Sequence, residues 1–180
     1  MRIKFIQKII DKIRKKNNQI TNYYPLKYCR PIFVFDGKRD IDKTVLIREG
    51  VIVQNPKGTE IVIGTNSQIS PYVVMFGGNI SIGKYVMIGP HTTIAVGQHN
   101  YKQTSKPMRF ADSIKDEDII IEDDVWIGAN CTIASGAYIS KGVVVGANSF
   151  VNSKIPPYAI VAGSPAKIIK YRNKEDNNNV

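Results

Sequence analysis

The stretch that decides the fold runs from Ile121 to Pro156 and reads IEDDVWIGANCTIASGAYISKGVVVGANSFVNSKIP. An aliphatic residue occupies every sixth position of this stretch: Ile121, Ile127, Ile133, Ile139, Val145 and Val151. A period of six matches neither the recurrence of a helix nor the simple alternation of a hairpin strand. Short, fixed self-similarity instead predicts a solenoid, whose units stack and bury one continuous core.

The length of the repeat limits the architecture further. Six extended residues cover about 20 Å, so each side of a coil must include a turn, and three sides make a triangular coil. The leading aliphatic residue points inward, and the small residue beside it allows the chain to turn a corner. Each coil then bonds to the next as a parallel ladder. The sequence therefore predicts an all-β solenoid with stacked columns of isoleucine and valine inside.

The same rhythm extends upstream with interruptions. It begins weakly at Val45 and Val51 and resumes at Ile63 after a break. In that break Lys57 occupies an aliphatic position, which predicts a bulged turn over residues 55–58.

The bounds of the repeat divide the chain into three parts. Residues 1–44 form an N-terminal extension, in which a short strand is expected at 32–35. Residues 45–156 form the solenoid. Residues 157–180 form a C-terminal segment, and its polar end from Asn173 is expected to be disordered. A length of 180 residues with 43% hydrophobic content suits one domain with extensions.

The rhythm stops after Ile94 and restarts near Ile119, which leaves residues 97–118 without a repeat. A solenoid accommodates an insertion by extruding it at a corner. A long loop in a compact fold is more often functional than idle. His99, one of only two histidines, stands at the root of this loop.

The N-terminal extension carries much of the net charge of +10. Residues 1–16 hold seven lysines and arginines against one aspartate, and isoleucines recur every three or four positions at Ile3, Ile6, Ile10 and Ile13. This pattern predicts a basic amphipathic helix. The helix could cap the open end of the solenoid or contact an anionic membrane surface. Nucleic-acid binding is not expected, because no aromatic and basic interleaving accompanies the charge.

The remaining composition bears on the compartment. The chain has no apolar run of about 20 residues and no signal-peptide pattern. We therefore expect a cytoplasmic protein, with peripheral contact at the inner face of the membrane if the helix binds lipid. Cys131 occupies an inward small position and is interpreted as a buried thiol in a reducing compartment. No metal-ligand spacing is present, so no metal is expected.

Three separated motifs, at residues 123–130, 145–149 and 155–167, resemble the hexapeptide-repeat acyltransferases. The similarity covers roughly residues 60–172 and is nearest to the maltose/galactoside O-acetyltransferases and the sugar O-acetyltransferases of polysaccharide biosynthesis. It implies a left-handed parallel β-helix that assembles as a homotrimer. It also implies three active sites between neighbouring subunits, each with acetyl-CoA along the groove.

The resemblance implies the following site residues. His99 matches the catalytic histidine, and Ala129 and Ala147 match small residues that contact the pantetheine arm. Lys167 and Lys170 match basic positions that meet a phosphate of coenzyme A. Where relatives often have Thr-Lys-Asp before Ile-Pro-Pro, this chain has Asn152-Ser153-Lys154, so a side-chain contact from that stretch to the phosphates is in doubt.

Further contacts are expected around this groove. Trp126 is assigned to the cofactor site; covering a neighbouring coil or the trimer seam is its alternative role. The loop residues Tyr101, Arg109 and Phe110 are expected to select the acceptor. His91 lies within a regular repeat and is not expected to act in catalysis.

The chemistry of O-acetylation agrees with a histidine. A sugar hydroxyl is a weak nucleophile, and a base that titrates near neutrality can remove its proton during attack on the thioester. The first hypothesis is therefore an acetyl-CoA-dependent sugar O-acetyltransferase of surface polysaccharide biosynthesis. The alternatives are an N-acetyltransferase of an amino sugar, free or nucleotide-linked, and a non-catalytic trimeric scaffold.

Overall fold

A computed structural model of the chain describes residues 31–172 apart from Ser113 and Lys115, and it leaves the side chains of residues 32–35 undescribed. The predicted N-terminal helix and the C-terminal end from Asn173 lie outside the described residues.

The described residues form nineteen strands in three sheets, and every third strand of the first eighteen joins the same sheet, whereas the nineteenth pairs with the eighteenth. Sheet A contains β1 (Ile32–Phe35), β4 (Ile52–Asn55), β7 (Val74–Phe76), β10 (Thr93–Ala95), β13 (Thr132–Ala134) and β16 (Phe150–Val151). Sheet B contains β2 (Lys38–Ile41), β5 (Glu60–Ile63), β8 (Ile80–Ile82), β11 (Ile119–Ile121), β14 (Tyr138–Ile139) and β17 (Lys154–Ile155). Sheet C contains β3 (Leu46–Ile47), β6 (Gln68–Ile69), β9 (Met87–Ile88), β12 (Trp126–Ile127), β15 (Val144–Val145), β18 (Ala159–Gly163) and β19 (Ala166–Tyr171).

Each coil contributes one strand to sheet A, one to B and one to C, so six coils stack into a three-sided prism. All strand pairs are parallel except β18 with β19, which closes the last coil as an antiparallel pair. We number the coils 1 to 6 and name the corners A–B, B–C and C–A. The predicted all-β parallel solenoid is confirmed.

The hexad forms the core of this prism. The six inward positions predicted from residues 121–156 are all 1% exposed or less. Register between the coils aligns them, as in the column of Ile88, Ile127 and Val145 inside sheet C. Full burial of one such side chain stabilises the fold by about 1.5–3 kcal/mol. These columns are therefore the main source of stability.

The C–A corner places one residue of each turn in the left-handed backbone region. The residues are Gly50, Tyr72, His91, Asn130 and Asn148, with φ between +55° and +68°. Asparagine tolerates this region better than most side chains. The rings of Tyr72 and His91 stack with centroids 5.1 Å apart, and the Asn130 amide donates to Asn148 Oδ1 at 2.7 Å. Side chains at this corner therefore contact each other between coils 2 and 3 and between coils 4 and 5.

The A–B corner differs greatly between coils. In coil 5 the corner consists of residues 135 and 136, because Ala137 is already in register with Ile119, the first residue of β11. In coil 4 residues 96–118 occupy the same place, between β10 and β11. Among the described residues of that segment the regular structure is a 3-10 helix at Met108–Phe110. We call residues 96–118 the corner loop.

Candidate active site

Ala129 and Ala147 lie one above the other at the C–A corner, in the turns that follow β12 and β15. A β-carbon on Gly128 would lie 2.6 Å from the amide nitrogen of Ala147. The turns can stack this closely only because glycine precedes alanine. The line continues to Ala162, which pairs with Lys167 on β19. We call this line of Ala129, Ala147 and Ala162 the alanine edge.

Buried hydroxyl groups hold the alanine edge from inside. Thr92 Oγ1 donates to the carbonyl of Gly128 at 3.0 Å and accepts from the amide of Cys131 at 3.2 Å. Ser149 Oγ donates to the carbonyl of Gly146 at 2.6 Å and accepts from the amide of Gly163 at 3.1 Å. The carbonyl groups that precede Ala129 and Ala147 are thus fixed, which makes the edge rigid.

Cys131 completes this support. Its thiol donates to the carbonyl of Gly146 at 3.2 Å, and the residue is 1% exposed. Burial raises the pKa of the Cys131 thiol, so the reactive thiolate is disfavoured. The predicted buried position of this cysteine is confirmed.

A second line of residues crosses the outer face of sheet C. Trp126 pairs with Val144, Val144 with Ile160, and Ile160 with Lys170. Three strand spacings separate Trp126 from Lys170, roughly 14 Å in all. Trp126 is 51% exposed, as is Met87 beside it on coil 3. The five residues predicted to bind the cofactor therefore lie on sheet C and its corner with sheet A.

The corner loop carries the other predicted residues. His99, Tyr101, Arg109 and Phe110 are all exposed, and the carbonyl of His99 accepts the Tyr101 amide at 2.9 Å. Arg109 and Phe110 belong to the 3-10 helix. The loop thus presents an imidazole, two aromatic rings and a guanidinium to solvent.

A hydrogen-bonded cluster braces the loop. Gln103 Nε2 donates to Asp112 Oδ2 at 2.7 Å, and the Asp112 amide donates back to Gln103 Oε1 at 2.7 Å. Lys106 Nζ lies 2.7 Å from Asp112 Oδ1. The hydrogen bond from Lys106, followed by that from Gln103, lowers the pKa of the Asp112 carboxyl. Asp112 is therefore ionised at neutral pH.

Within a single chain, the predicted cofactor residues lie far from the predicted residues of the corner loop. The sheets follow the order A, B, C around each coil, so the A–B corner stands across the triangle from sheet C. The root of the corner loop, with His99, is at the A–B corner, whereas Trp126 and Lys170 are on sheet C. The other histidine, His91, follows Pro90 in the C–A turn of coil 3, at the corner that carries the alanine edge, and its ring stacks on Tyr72.

Comparisons with known proteins identify the family. The model described as bacterial transferase hexapeptide (six repeats) matches residues 118–153. The crystal structure of the hexapeptide-repeat-containing acetyltransferase VCA0836 from Vibrio cholerae is 34% identical, covers 77% of this chain and 74% of its own, and superposes with a TM-score of 0.62. This chain belongs to the hexapeptide-repeat acyltransferases. The acetyl-CoA complex of VCA0836 is 32% identical, with a TM-score of 0.57, and covers 79% of this chain and 71% of its own.

Two curated relatives match shorter parts of this hexapeptide-repeat chain. The putative lipopolysaccharide biosynthesis O-acetyl transferase WbbJ of Escherichia coli K12 is 34% identical over 122 residues, which cover 64% of this chain and 62% of WbbJ. The 2,3,4,5-tetrahydropyridine-2,6-dicarboxylate N-acetyltransferase of Staphylococcus aureus is 52% identical over 52 residues, or 29% of this chain and 22% of that enzyme. The chain spans less than two thirds of the length of either relative.

Sequence reasoning missed two residues of this hexapeptide-repeat site. Thr92 and Ser149 are buried and hold the backbone of the alanine edge, but neither was predicted. The signal in the sequence was a hydroxyl group in a column of inward residues that is otherwise apolar. Thr92 and Ser149 each follow a left-handed residue of the C–A corner, His91 or Asn148.

Within residues 31–172, apart from Ser113 and Lys115, no three histidine, cysteine, aspartate or glutamate side chains group in a way that could hold a metal ion. No helix in this part of the chain has both the length and the apolar character needed to cross a bilayer.

Proposed function

We propose that the protein is an acetyl-CoA-dependent O-acetyltransferase that acts on a sugar hydroxyl in surface polysaccharide biosynthesis. The observation that carries this proposal is the alanine edge, a rigid strip of small residues that ends beside two lysines on β19. VCA0836, a relative of similar fold, has been crystallised with acetyl-CoA. WbbJ is named for O-acetyl transfer in lipopolysaccharide biosynthesis.

The donor would lie along sheet C and the alanine edge. Ala129 and Ala147 leave room for the pantetheine arm, and Trp126 flanks it with an exposed apolar surface. Lys167 and Lys170 stand on the strand that ends this face, where ammonium groups can meet phosphate. This arrangement predicts that the phosphates lie toward coil 6 and the thioester toward coil 4.

His99 then acts as the general base. Its imidazole accepts the proton of the sugar hydroxyl while the oxygen attacks the thioester carbonyl. The tetrahedral intermediate collapses, the carbon–sulfur bond breaks, and the thiolate of coenzyme A takes the proton from the imidazolium. Such a base contributes about 10²- to 10⁴-fold to the rate. Tyr101, Arg109 and Phe110 hold the acceptor beside it.

The site requires a second copy of the chain. Because His99 and sheet C are on opposite sides of one prism, a homotrimer in which the corner loop of one subunit faces sheet C of the next brings them together. The coil is left-handed in this proposal, as in the resembling enzymes. A measured mass about three times the 20.1 kDa of one chain supports the trimer, and a monomeric mass contradicts it.

Thiol release from acetyl-CoA tests the proposal over a panel of sugars, amino sugars and nucleotide sugars. We expect turnover of a sugar hydroxyl by the wild type and a loss of at least about 10²-fold in His99→Ala, with acetyl-CoA still bound. His91→Asn is the matched control, because asparagine occupies the same corner position in coils 4 and 5. Full turnover by His99→Ala would overturn the assignment of the base.

The N-acetyltransferase alternative rests on one observation. The Staphylococcus aureus relative, which is 52% identical over its short match, is named for N-acetylation. An amine that is already deprotonated depends less on a base. Turnover of amino sugars that survives in His99→Ala therefore favours this alternative. Failure of the wild type to bind acetyl-CoA favours the non-catalytic scaffold.

The basic N-terminal segment suits an enzyme that works on a lipid-linked acceptor. In this extension of the proposal, residues 1–16 contact the anionic inner face of the membrane. Vesicles with and without an anionic lipid, mixed with the full chain and with a chain that begins at residue 17, test it. Salt-sensitive binding that needs both the segment and the anionic lipid supports membrane contact. A loss of thermal stability in the shortened chain, without a change in vesicle binding, supports a cap on coil 1.

A further inference from the structure

The entry to the corner loop rests on two glycines of coil 3. Val96 donates its amide to the carbonyl of Phe76 at 2.9 Å. A β-carbon on Gly77 would lie 1.5 Å from the carbonyl oxygen of Val96, and one on Gly78 would lie 2.4 Å from Val96 Cγ1. Any side chain at either glycine would displace the start of the loop.

The exit of the loop is held from two neighbouring coils. Asn79 Nδ2 donates to Asp118 Oδ1 at 3.0 Å. Ser135 Oγ donates to the carbonyl of Glu117 at 2.8 Å and accepts its amide at 3.0 Å. Both ends of the loop are therefore fixed to the prism.

The loop contains four carboxylates that could orient His99, and the structure separates them. Asp112 bonds to Gln103 and Lys106 within the loop, whereas Asp118 bonds to Asn79. The Glu117 carboxylate lies over Gly136, where a β-carbon would be 2.5 Å from Oε2. Asp116 alone among the four has a described bond to the neighbour of His99: its Oδ1 accepts the Gln98 amide at 3.1 Å.

This bond restrains the part of the loop with the most backbone freedom. Gly97, immediately before Gln98, has φ +130°, a conformation that a residue with a side chain rarely adopts. The bond from the Gln98 amide to the Asp116 carboxylate comes directly after this glycine. It joins residues that are eighteen positions apart, across the root of the loop. Among the described residues, this bond is what ties the peptide before His99 to a distant part of the loop.

We propose that Asp116 is a positioning residue, which fixes the direction of His99 by holding the Gln98 amide across the root of the loop. This inference rests on the proposed function. Asp116 acts through the backbone, so the hydrogen-bond acceptor matters and the negative charge does not. A misplacement of about 1 Å can cost 10²-fold in rate.

Three variants of the full-length protein test the inference. Asp116→Ala removes the acceptor, and we expect kcat to fall by about tenfold or more while the Kd of acetyl-CoA changes by less than about twofold. Asp116→Asn keeps an oxygen that can accept the same amide, so kcat should return to within about threefold of the wild type. Asp42→Ala is the matched control, since it also removes a carboxylate that accepts a backbone amide, that of Thr44, but in coil 1 and away from the corner loop.

Unchanged kcat in Asp116→Ala overturns the inference. So does an Asp116→Asn variant as impaired as Asp116→Ala, because the charge and not the acceptor would then matter. His99→Ala, measured alongside, distinguishes failure of the inference about Asp116 from failure of the proposed function. If His99→Ala keeps its turnover, the proposed base fails; if His99→Ala loses turnover and Asp116→Ala does not, only the role of Asp116 fails.

Discussion

Ser149 is one residue whose two hydrogen bonds support the alanine edge. It is 3% exposed, and Ser149→Ala would leave the Gly163 amide without its acceptor. We expect a loss of about 1–3 kcal/mol of unfolding free energy and weaker binding of acetyl-CoA. Thermal unfolding and titration calorimetry measure the two effects. Ser153→Ala, at an exposed serine, is the control, and an equal response of both variants would contradict the role of Ser149.

Glu122 gives the stability a pH dependence. The Tyr138 hydroxyl and then the Lys141 amide donate to its carboxylate, and these bonds lower the pKa of Glu122 below its ordinary 4.5. A lowered pKa in the folded state means that this stabilisation is present above pH 4.5 and is lost as the pH falls further.

Tyr138→Phe should therefore lower Tm by roughly 2–4 °C at pH 7 and by less at pH 3, because the stabilisation by the Glu122 carboxylate is lost as the pH falls below 4.5. Calorimetry at the two pH values measures the difference. Tyr85→Phe, at an exposed tyrosine of the B–C corner, should show no such dependence. A Tyr138→Phe deficit that is constant from pH 7 to pH 3 would contradict this account.

For single residues, the sequence predicts the positions that recur in every coil and misses those that do not recur. The inward positions from Ile121 to Val151 could be predicted because burial imposes one residue type on every coil. The polar supports Thr92 and Ser149 left only a weak signal, a hydroxyl group in an otherwise apolar column, and three of their four hydrogen bonds join residues 14 to 39 positions apart. Such partners become neighbours only once the register between coils is known.

The corner loop is the element on which the proposed function depends most. Replacement of residues 96–118 by Ser-Gly would copy the two-residue corner of coil 5, whose flanking strands are in register with those of coil 4. We expect the β-sheet circular dichroism and cooperative melting to persist, while turnover falls by at least about 10²-fold. A loop of the same length made of glycine and serine, with the root residues kept, is the control for chain length. Unfolding of the shortened protein would show that the loop is needed for the fold.

Elements were predictable where their ends coincide with changes in pattern. The strand expected at 32–35 is confirmed as β1, and the turn expected near Lys57 is confirmed by the turn at Lys57 and Gly58. The contacts that hold the loop root were not predictable. The pair Gly77 and Gly78 looks like a shift of register in the sequence, but in three dimensions it is the surface on which Val96 rests.

The molecule as a whole should show complementation between inactive subunits. His99→Ala lacks the proposed base, and Ala147→Trp blocks the alanine edge, so each variant should be inactive when it assembles alone. Trimers assembled from both chains contain sites that combine an intact loop with an intact edge. We therefore expect thiol release to reappear in co-expressed mixtures and not in mixtures of preassembled trimers. Absence of recovery in co-expressed trimers would place both residues in one subunit's site.

The residues of one chain could not show how the site is assembled in the whole molecule. The resemblance predicts one site that combines His99 with residues of sheet C and lies between subunits, and within one chain these residues lie on opposite sides of the prism. The triangular cross-section explains this separation, because a corner and the facing sheet are never neighbours within a coil. The arrangement of subunits, which no single repeat encodes, is what the complementation experiment measures.

The length of the corner loop also sets the cost of forming the ladder between coils. Val74 and Thr93, which pair across coils 3 and 4, are 19 positions apart, whereas Thr93 and Thr132, which pair across coils 4 and 5, are 39 positions apart. Doubling a closed loop costs only about 0.6 kcal/mol of chain entropy. Removing one buried methylene from the core costs about 0.8 kcal/mol. A solenoid corner can therefore gain a segment longer than a coil at a smaller cost in folding free energy than that of losing one carbon atom from the core.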